Sequence, residues 1–350
     1  MIVHHLALPF RLPLRDSFLA DWLPARLIGV LSHSGYAAVY IFFAISGFLI
    51  AGRVIQRYGR LDAVDLRAFY VQRASRILPL LLAVMLASSL LHWAGVKGFV
   101  IAHPEQSLGG AWFAALGLHL NWYEGRTTWL PATWDVLWSL SIEELFYLCF
   151  PVLCLALPRS LLVVALAALM VSLPWTRGAL DGQAIWQEKA YLPAMSVIAM
   201  GVLAALLVHH WRPSHQFARC VLILGLLALA GSLLAPGELW RTLRHGSLLA
   251  IAGASVLVLL GARWLAQPVP PGLAWLARMG RLSYELYLTH MFVVLPVVAL
   301  CVAWAGPRPA WSPLVYPLVV GLCVLLAAKV ELHFSKPIER SWRRRWERTS

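Results

Sequence analysis

Four groups of polar residues interrupt an otherwise apolar chain, and each carries its own chemistry. His4 and His5 stand side by side in an apolar run. A histidine in a dehydrated site has its charged form disfavoured and stays a neutral base at working pH; the same ring, hydrogen-bonded to a neighbour, is an ordinary packing residue. Arg67, Arg73 and Arg76 close the segment 51–76, directly before Ile77 and Pro79. Arg73 and Arg76 are three apart and share one helix face. Two guanidinium forks there can clamp a phosphate or pyrophosphate, or simply fix topology and touch lipid headgroups. Glu143 and Glu144 sit in the run Trp138–Tyr147 at the mouth of an apolar span. Adjacent helix positions point about 100° apart, so either one carboxylate faces a cavity while the other reaches the interface, or the two snorkel together as an interfacial pair. In the run Gly280–His290, Tyr284, Tyr287 and His290 recur at i, i+3, and Glu285 and Thr289 at i, i+4. Such a strip lines a cavity or hydrogen-bonds between helices. Polar groups at membrane depth are costly and tend to mark a pathway or a reacting centre.

The elements that must position these groups are membrane helices. Of 350 residues, 60% are hydrophobic and 13% charged, with a mean hydropathy of +0.72. That is far more apolar surface than a water-soluble core hides, and no polar linker divides the chain. An all-α, polytopic bundle of about ten spans is expected. Runs long enough for roughly 30 Å of hydrocarbon lie near 27–50, 77–96, 138–157, 191–210, 246–264, 282–303 and 312–334, with shorter ones at 160–174 and 220–235. Met1–Leu8 reads as the tail of a further span, without the charged start or cleavage site of a signal peptide. A Trp-rich loop, 97–137, is expected to dip into the membrane against protein rather than cross it. The net charge of +13 fits loops facing anionic lipid rather than nucleic acid. With the first loop outside, inner segments carry 18 Lys and Arg and outer segments 10, which puts both termini in the cytoplasm. The membrane domain is then 1–334 and a basic cytoplasmic tail 335–350. Cys149, Cys154, Cys220, Cys301 and Cys323 fall in apolar stretches and read as small buried hydrophobes. Neither a nucleophile elbow, a phosphate-binding Gly loop nor a metal-ligand cluster is present. The histidines at 209, 210 and 215 lack carboxylate or thiolate support, so no metal and no bound cofactor are expected.

Taken in order, four motifs resemble those of the integral-membrane acyltransferase 3 family, bacterial enzymes that decorate envelope sugars and some small molecules. They are Tyr40–Ile50, Arg73–Pro79, Trp138–Tyr147 and Leu282–His290, and together they extend over nearly the whole chain. The resemblance implies a multi-pass protein of the bacterial inner membrane. Its reaction would move an acyl group, usually acetyl, from acetyl-CoA to a hydroxyl of a carbohydrate or glycan-like acceptor. His5 aligns with the family's proposed catalytic histidine and would act as general base, with His4 and Glu143 beside it in the catalytic group. Glu143 would orient a histidine or meet the acceptor from the outer side. Arg73 and Arg76 would hold the phosphates of coenzyme A. Ser46, Glu144, Tyr287 and His290 would lie along the substrate path, the last two lining the acyl route or donating to the developing oxyanion.

Two departures accompany the resemblance. The family's arginine, ten intervening residues before the histidine, falls ahead of Met1, which implies a first helix short of its beginning and an enzyme that can be inactive as given. Lys336 stands before Pro337 where the family more often has Glu. A transporter is the rival of another class, although the two halves show no internal repeat. A carrier passing acyl groups through the membrane to a separate transferase is the intermediate case. Trp112, Trp122, Trp129 and Trp134 would stack on sugar rings or form an interfacial belt.

Overall fold

The computed structural model describes residues 1–306 and 309–347, without the side chains of 343 and 345–347. The end of the basic tail, including the Arg343 and Arg345 side chains, therefore lies outside the described residues. The chain is 81% helical, with no strand among the described residues. It opens with α1 (Ile2–Ala7), α2 (Ala25–His33) and α3 (Gly35–Tyr58). The apolar run of α3 stops at Gly59, whose φ of +77° supplies the left-handed cap and whose N–H returns to the Ile55 carbonyl at 2.8 Å. Asp65 then caps α4 (Leu66–Trp93) by accepting from the Ala68 N–H at 3.0 Å.

Three short helices follow: α5 (Leu108–Leu116), α6 (Leu120–Arg126) and α7 (Ala132–Asp135). At nine residues α5 is about 13 Å long and cannot cross a bilayer. The loop enters the protein instead. Trp112 Nε1 donates to Ser89 Oγ at 2.9 Å, the Leu120 N–H to Ser141 Oγ at 3.2 Å, and Tyr191 to the Leu118 carbonyl at 2.6 Å. Trp112 and Trp134 belong to this packing, Trp112 half-buried and Trp134 fully buried, which leaves Trp134 no face for a sugar or for the interface. Trp122 and Trp129 remain exposed.

The longer helices that follow, with the short α13 that precedes α14, are α8 (Trp138–Ala156), α9 (Arg159–Val171), α10 (Tyr191–His210), α11 (His215–Leu234), α12 (Ser247–Leu265), α13 (Ser283–Thr289), α14 (Met291–Ala305), α15 (Val315–Val330) and α16 (Lys336–Glu347). Seven helical segments are long and apolar enough to cross a membrane, or eight with α13 and α14 taken as one span bent by 44°. The chain is a multi-pass helical membrane protein. Arg159–Val171 and Ile2–Ala7 are the shorter apolar members. One π turn, Glu331–Ser335, joins α15 to α16, and Lys336 pairs with Glu331 across it at 3.0 Å.

Two cores form. One gathers α1, α4, the dipping loop and α13–α15; the other gathers α3, α8, α9, α10 and α12. Helix α8 lies on the seam between them, with Leu140 in the first and Trp138 and Ile142 in the second. Helices α3 and α10 cross almost backbone to backbone: a Cβ on Gly201 would fall 2.1 Å from the Ala44 carbonyl oxygen, and one on Gly47 1.9 Å from that of Ile198. Small residues at such a crossing let membrane helices pack closely. Gly201→Val should therefore lower the thermal unfolding midpoint in detergent by several degrees, in line with an overpacking cost of about 1–3 kcal/mol. Gly52→Ala on α3, where nothing lies within 4 Å, should leave it unchanged.

Candidate active site

A six-residue helix has little stability of its own, so α1 is held by what surrounds it. Leu6 is fully buried, and Arg11 donates to the His5 carbonyl at 2.6 Å, closing the end of the helix. Arg11 is itself buried, which pulls its guanidinium down to about 10, against the opposing charge of Asp135. The two histidines are held differently. His4 Nδ1 donates to the Ser32 carbonyl at 2.6 Å, and its ring fills the space over Gly35, where a Cβ would fall 2.2 Å from His4 Cδ2. His4 is thus an anchor. His5 is buried with neither ring nitrogen hydrogen-bonded.

The neighbour of His5 is His290, with ring centroids 5.1 Å apart. His290 lies at the break between α13 and α14 and is also buried. Its Nδ1 faces the Tyr287 and Leu286 carbonyls at 2.8 and 3.1 Å, which makes Nδ1 the protonated nitrogen, and Nε2 has no partner. Buried polar atoms are nearly always paired, so three unpaired imidazole nitrogens in one place single this pair out as the candidate reacting centre. Tyr287 fixes the next step outward. Its hydroxyl donates to the Val136 carbonyl at 2.8 Å and lies 2.6 Å from Ser139 Oγ. Its ring is stacked parallel to Phe42 at 6.3 Å and lies 6.2 Å from that of His290.

A second cluster lies beyond Phe42. Arg73 donates through Nε and one terminal nitrogen to Glu144 at 3.1 and 2.7 Å, reaches Glu143 at 3.2 Å, and sits over the Tyr147 ring at 3.8 Å. Tyr147 donates to Glu143 at 2.7 Å, and Ser46 hydrogen-bonds both of them. The structure therefore separates residues that the sequence groups together. Glu143 reaches no histidine and joins Arg73, while Arg73 and Arg76 do not form a matched clamp, since Arg73 is already engaged by two carboxylates and Arg76 has no ion pair among the described residues.

Two cavities adjoin this cluster. One, of about 220 Å³, is lined by Phe42, Ser46, Arg53, Arg76, Glu143 and Tyr284, among others; the other, of about 260 Å³, by Arg57, Tyr58 and Gln72. They share Ile50, Arg53, Arg73 and Arg76. On α3 the lining residues Phe42, Ile45, Ser46, Leu49, Ile50, Arg53 and Arg57 recur every three or four positions, a single helical stripe about 22 Å long. A third cavity, of about 300 Å³, is mainly apolar and lies on the far side of Arg73 and Tyr147, between α4, α8 and the end of α5.

A family model described as an acyltransferase domain matches residues 1–328. The chain belongs to this family. Among its relatives, a Bacillus subtilis protein named "Putative peptidoglycan O-acetyltransferase YrhL" is 25% identical over an alignment of 353 residues, 90% of this chain and 52% of its own length. Peptidoglycan O-acetyltransferase OatA of Listeria monocytogenes is 27% identical over 156 residues, 40% of this chain and 24% of its own. A Staphylococcus aureus protein named "Putative O-acetyltransferase" is 34% identical over 130 residues, 35% of this chain and 20% of its own. The chain spans about half, or less, of the length of these curated relatives. No solved structure matches it.

In this acyltransferase domain a further charged group escaped the sequence reading. Lys189 is fully buried, 2.7 Å from Glu124 and paired also with Asp135, with its ammonium 4.1 Å from the Trp129 ring centroid. Asn121 donates to the Lys189 carbonyl at 3.0 Å, and Glu124 accepts from the Leu130 N–H at 3.0 Å. Burial, and then the Asp135 carboxylate, push the Glu124 carboxyl well above the usual carboxylate range, against the pull of Lys189. The partners are 65 and 54 positions apart, and each alone looks like ordinary loop charge, so no local pattern announced them.

Proposed function

We propose that this protein is a membrane O-acyltransferase that moves an acetyl group from acetyl-CoA to a hydroxyl of an envelope glycan, with a peptidoglycan sugar as the first acceptor to test. The observation that carries this reading is the unpartnered pair His5 and His290, reached along Phe42 and Tyr287 from the arginine-lined stripe of α3. The donor enters from the cytoplasm at the arginine end, and the acceptor from the opposite face. One ring nitrogen of His5 takes the hydroxyl proton as that oxygen bonds to the thioester carbonyl carbon. The C–S bond then breaks, and the thiolate leaves with the proton carried by His5, giving an ester and free coenzyme A. Tyr287 and His290 border the reacting carbonyl, His290 held in one orientation by its two backbone contacts. His4 keeps α1 in register with α2. The acceptor class follows the names of the Bacillus and Listeria relatives.

The test uses inner membranes containing the full chain, acetyl-CoA labelled on the acetyl group, and purified peptidoglycan fragments. Alkali-labile label on the sugar is the expected result. Uptake of an intact solute without covalent label would overturn the enzyme reading in favour of a carrier.

A further inference from the structure

Near the start of α3, one cationic side chain belongs neither to the reacting pair nor to the Lys189 cluster. Arg177 stands on the short helix Leu173–Gly178, half-buried, and makes no ion pair among the described residues; its Nε is buried without an acceptor. Its guanidinium lies 5.5 Å from the ring of Tyr36 on α3 and 5.7 Å from that of Trp240 on the helix Pro236–Leu243. The turn after that helix is set by Arg244, a non-glycine residue with φ of +49°. It brings His245 onto the backbone of Gly178, where a Cβ would fall 3.1 Å from His245 Cδ2. The His245 ring meets that of Trp240 edge-on at 5.2 Å, and its Nδ1 is likewise buried without a partner. The carboxylates of this neighbourhood are committed elsewhere. Asp181 accepts from Gln187 at 2.6 Å and pairs with His245 Nε2 at 3.0 Å, Glu238 pairs with Arg26 and Arg241, and Glu188 lies under the charges of Lys189 and Asp135. A guanidinium held by cation–π contact with aromatic rings keeps its N–H fork for a planar, two-oxygen anion. A buried N–H with no acceptor in the protein is rare, and this one singles Arg177 out.

We propose that Arg177 is the acceptor-recognition residue of this enzyme: with Tyr36, Trp240 and His245 around it, it takes a carboxylate borne by the same glycan as the hydroxyl that is acetylated. The proposal deepens the acetyl-transfer reading and rests on it for the acceptor's being a glycan. The subsite is joined to the proposed base through consecutive contacts. Tyr36 follows Gly35, on which the His4 ring rests, and the His4 and His5 rings are 5.4 Å apart. By the charge count along the sequence, 175–190 and 236–247 both face the outer side, opposite the arginine end where the donor enters. The aromatic wall is fixed from behind. The Tyr36 hydroxyl donates to the Gln187 carbonyl at 3.1 Å and that of Tyr40 to the Glu188 carbonyl at 3.2 Å, with the two rings 4.7 Å apart. Half-buried Trp240 offers an apolar face to sugar C–H groups beside the anion. A neutral glycan leaves the Arg177 fork unpaired, whereas a carboxylate fills it. Because the carboxylate is remote from the reacting carbonyl, this interaction is the same before and during transfer, and it is read in KM rather than in kcat.

The experiment uses the full chain in phosphatidylcholine nanodiscs and two disaccharides: N-acetylglucosaminyl-N-acetylmuramic acid with its lactyl carboxylate free, and the same sugar with that carboxylate converted to the methylamide. Binding is measured without acetyl-CoA, and transfer with labelled acetyl-CoA. The parent should favour the acid over the amide by roughly tenfold or more, the scale of a charge-assisted pair. Arg177→Gln should lose that preference through KM. It should keep kcat, coenzyme A affinity, use of the amide and the thermal midpoint close to those of the parent, since Arg177 donates to no protein acceptor among the described residues. Arg177→Lys should recover part of the preference, as a point charge without the fork. Equal use of acid and amide by the parent would overturn the assignment. So would a lowered thermal midpoint in Arg177→Gln with the preference retained, which would make Arg177 a packing residue. Loss of acid binding on exchanging phosphatidylcholine for phosphatidylglycerol would also overturn it, with a lipid headgroup as the anion instead. Acid binding that depends on Arg177 but brings no transfer of label would leave the subsite standing and overturn the acetyltransferase reading; binding of neither disaccharide overturns the subsite itself.

Discussion

His5→Ala is expected to lower acetyl transfer by about 10²- to 10⁴-fold, the range associated with losing a positioned general base. Coenzyme A affinity and the thermal midpoint should stay close to those of the parent. The separation follows from the geometry. Removing a ring whose two nitrogens have no partner leaves no orphaned donor or acceptor behind, and the backbone carbonyl of residue 5, which receives Arg11, is retained. His4→Ala behaves in the opposite way: it deletes the bond to the Ser32 carbonyl and opens space above Gly35, so it costs stability while the chemistry persists in whatever protein remains folded. Single-turnover transfer of labelled acetyl, alongside direct coenzyme A binding, distinguishes the two variants. If His5→Ala transferred label at the parental rate, the base would have to be sought elsewhere, with His290 Nε2 the next buried nitrogen without a partner.

The helices were legible because their signals are local. Apolar runs of spanning length, Asp65 as a cap and Gly59 as a stop all act within a few residues. The Gly- and Trp-containing stretch 108–122 was too short and too polar to cross. The site was legible in type but not in pairing. His5, His290, Arg73 and Glu143 could be picked out by cost, because each is a polar group in an apolar run. Which of them meet depends on how α8 is placed on the seam between two cores, and that placement depends on crossings such as Gly47 with Ile198, which no short window of sequence encodes. Glu143, expected either to orient a histidine or to meet the acceptor, lies against Arg73, Ser46 and Tyr147. Lys189 was missed for the same reason, since its charge acquires meaning only beside two carboxylates from the distant loop 97–137.

That buried lysine carries the largest stability effect. Lys189→Met keeps length and apolar volume but leaves Glu124, fully buried, facing Asp135 without a cation. Breaking one side of a buried ion pair costs about 3–5 kcal/mol, and the lost cation–π contact with Trp129 adds to it. The thermal midpoint in detergent should fall sharply. Glu124→Gln with Asp135→Asn in the same chain should restore much of it, because the penalty comes from the uncompensated carboxylates rather than from the absent ammonium. The consequence extends to the reacting centre. Asp135 ends the turn that leads to Val136, whose carbonyl holds the Tyr287 hydroxyl, and its charge acts on Arg11, which holds the His5 carbonyl. Below its lowered midpoint, Lys189→Met should therefore lose transfer activity beyond the fraction unfolded, and the triple variant should regain both. Recovery of stability without recovery of transfer would show that the ammonium itself serves the acceptor side. A midpoint unchanged in Lys189→Met would mean that the two carboxylates are neutral in the folded protein and that this cluster organises nothing.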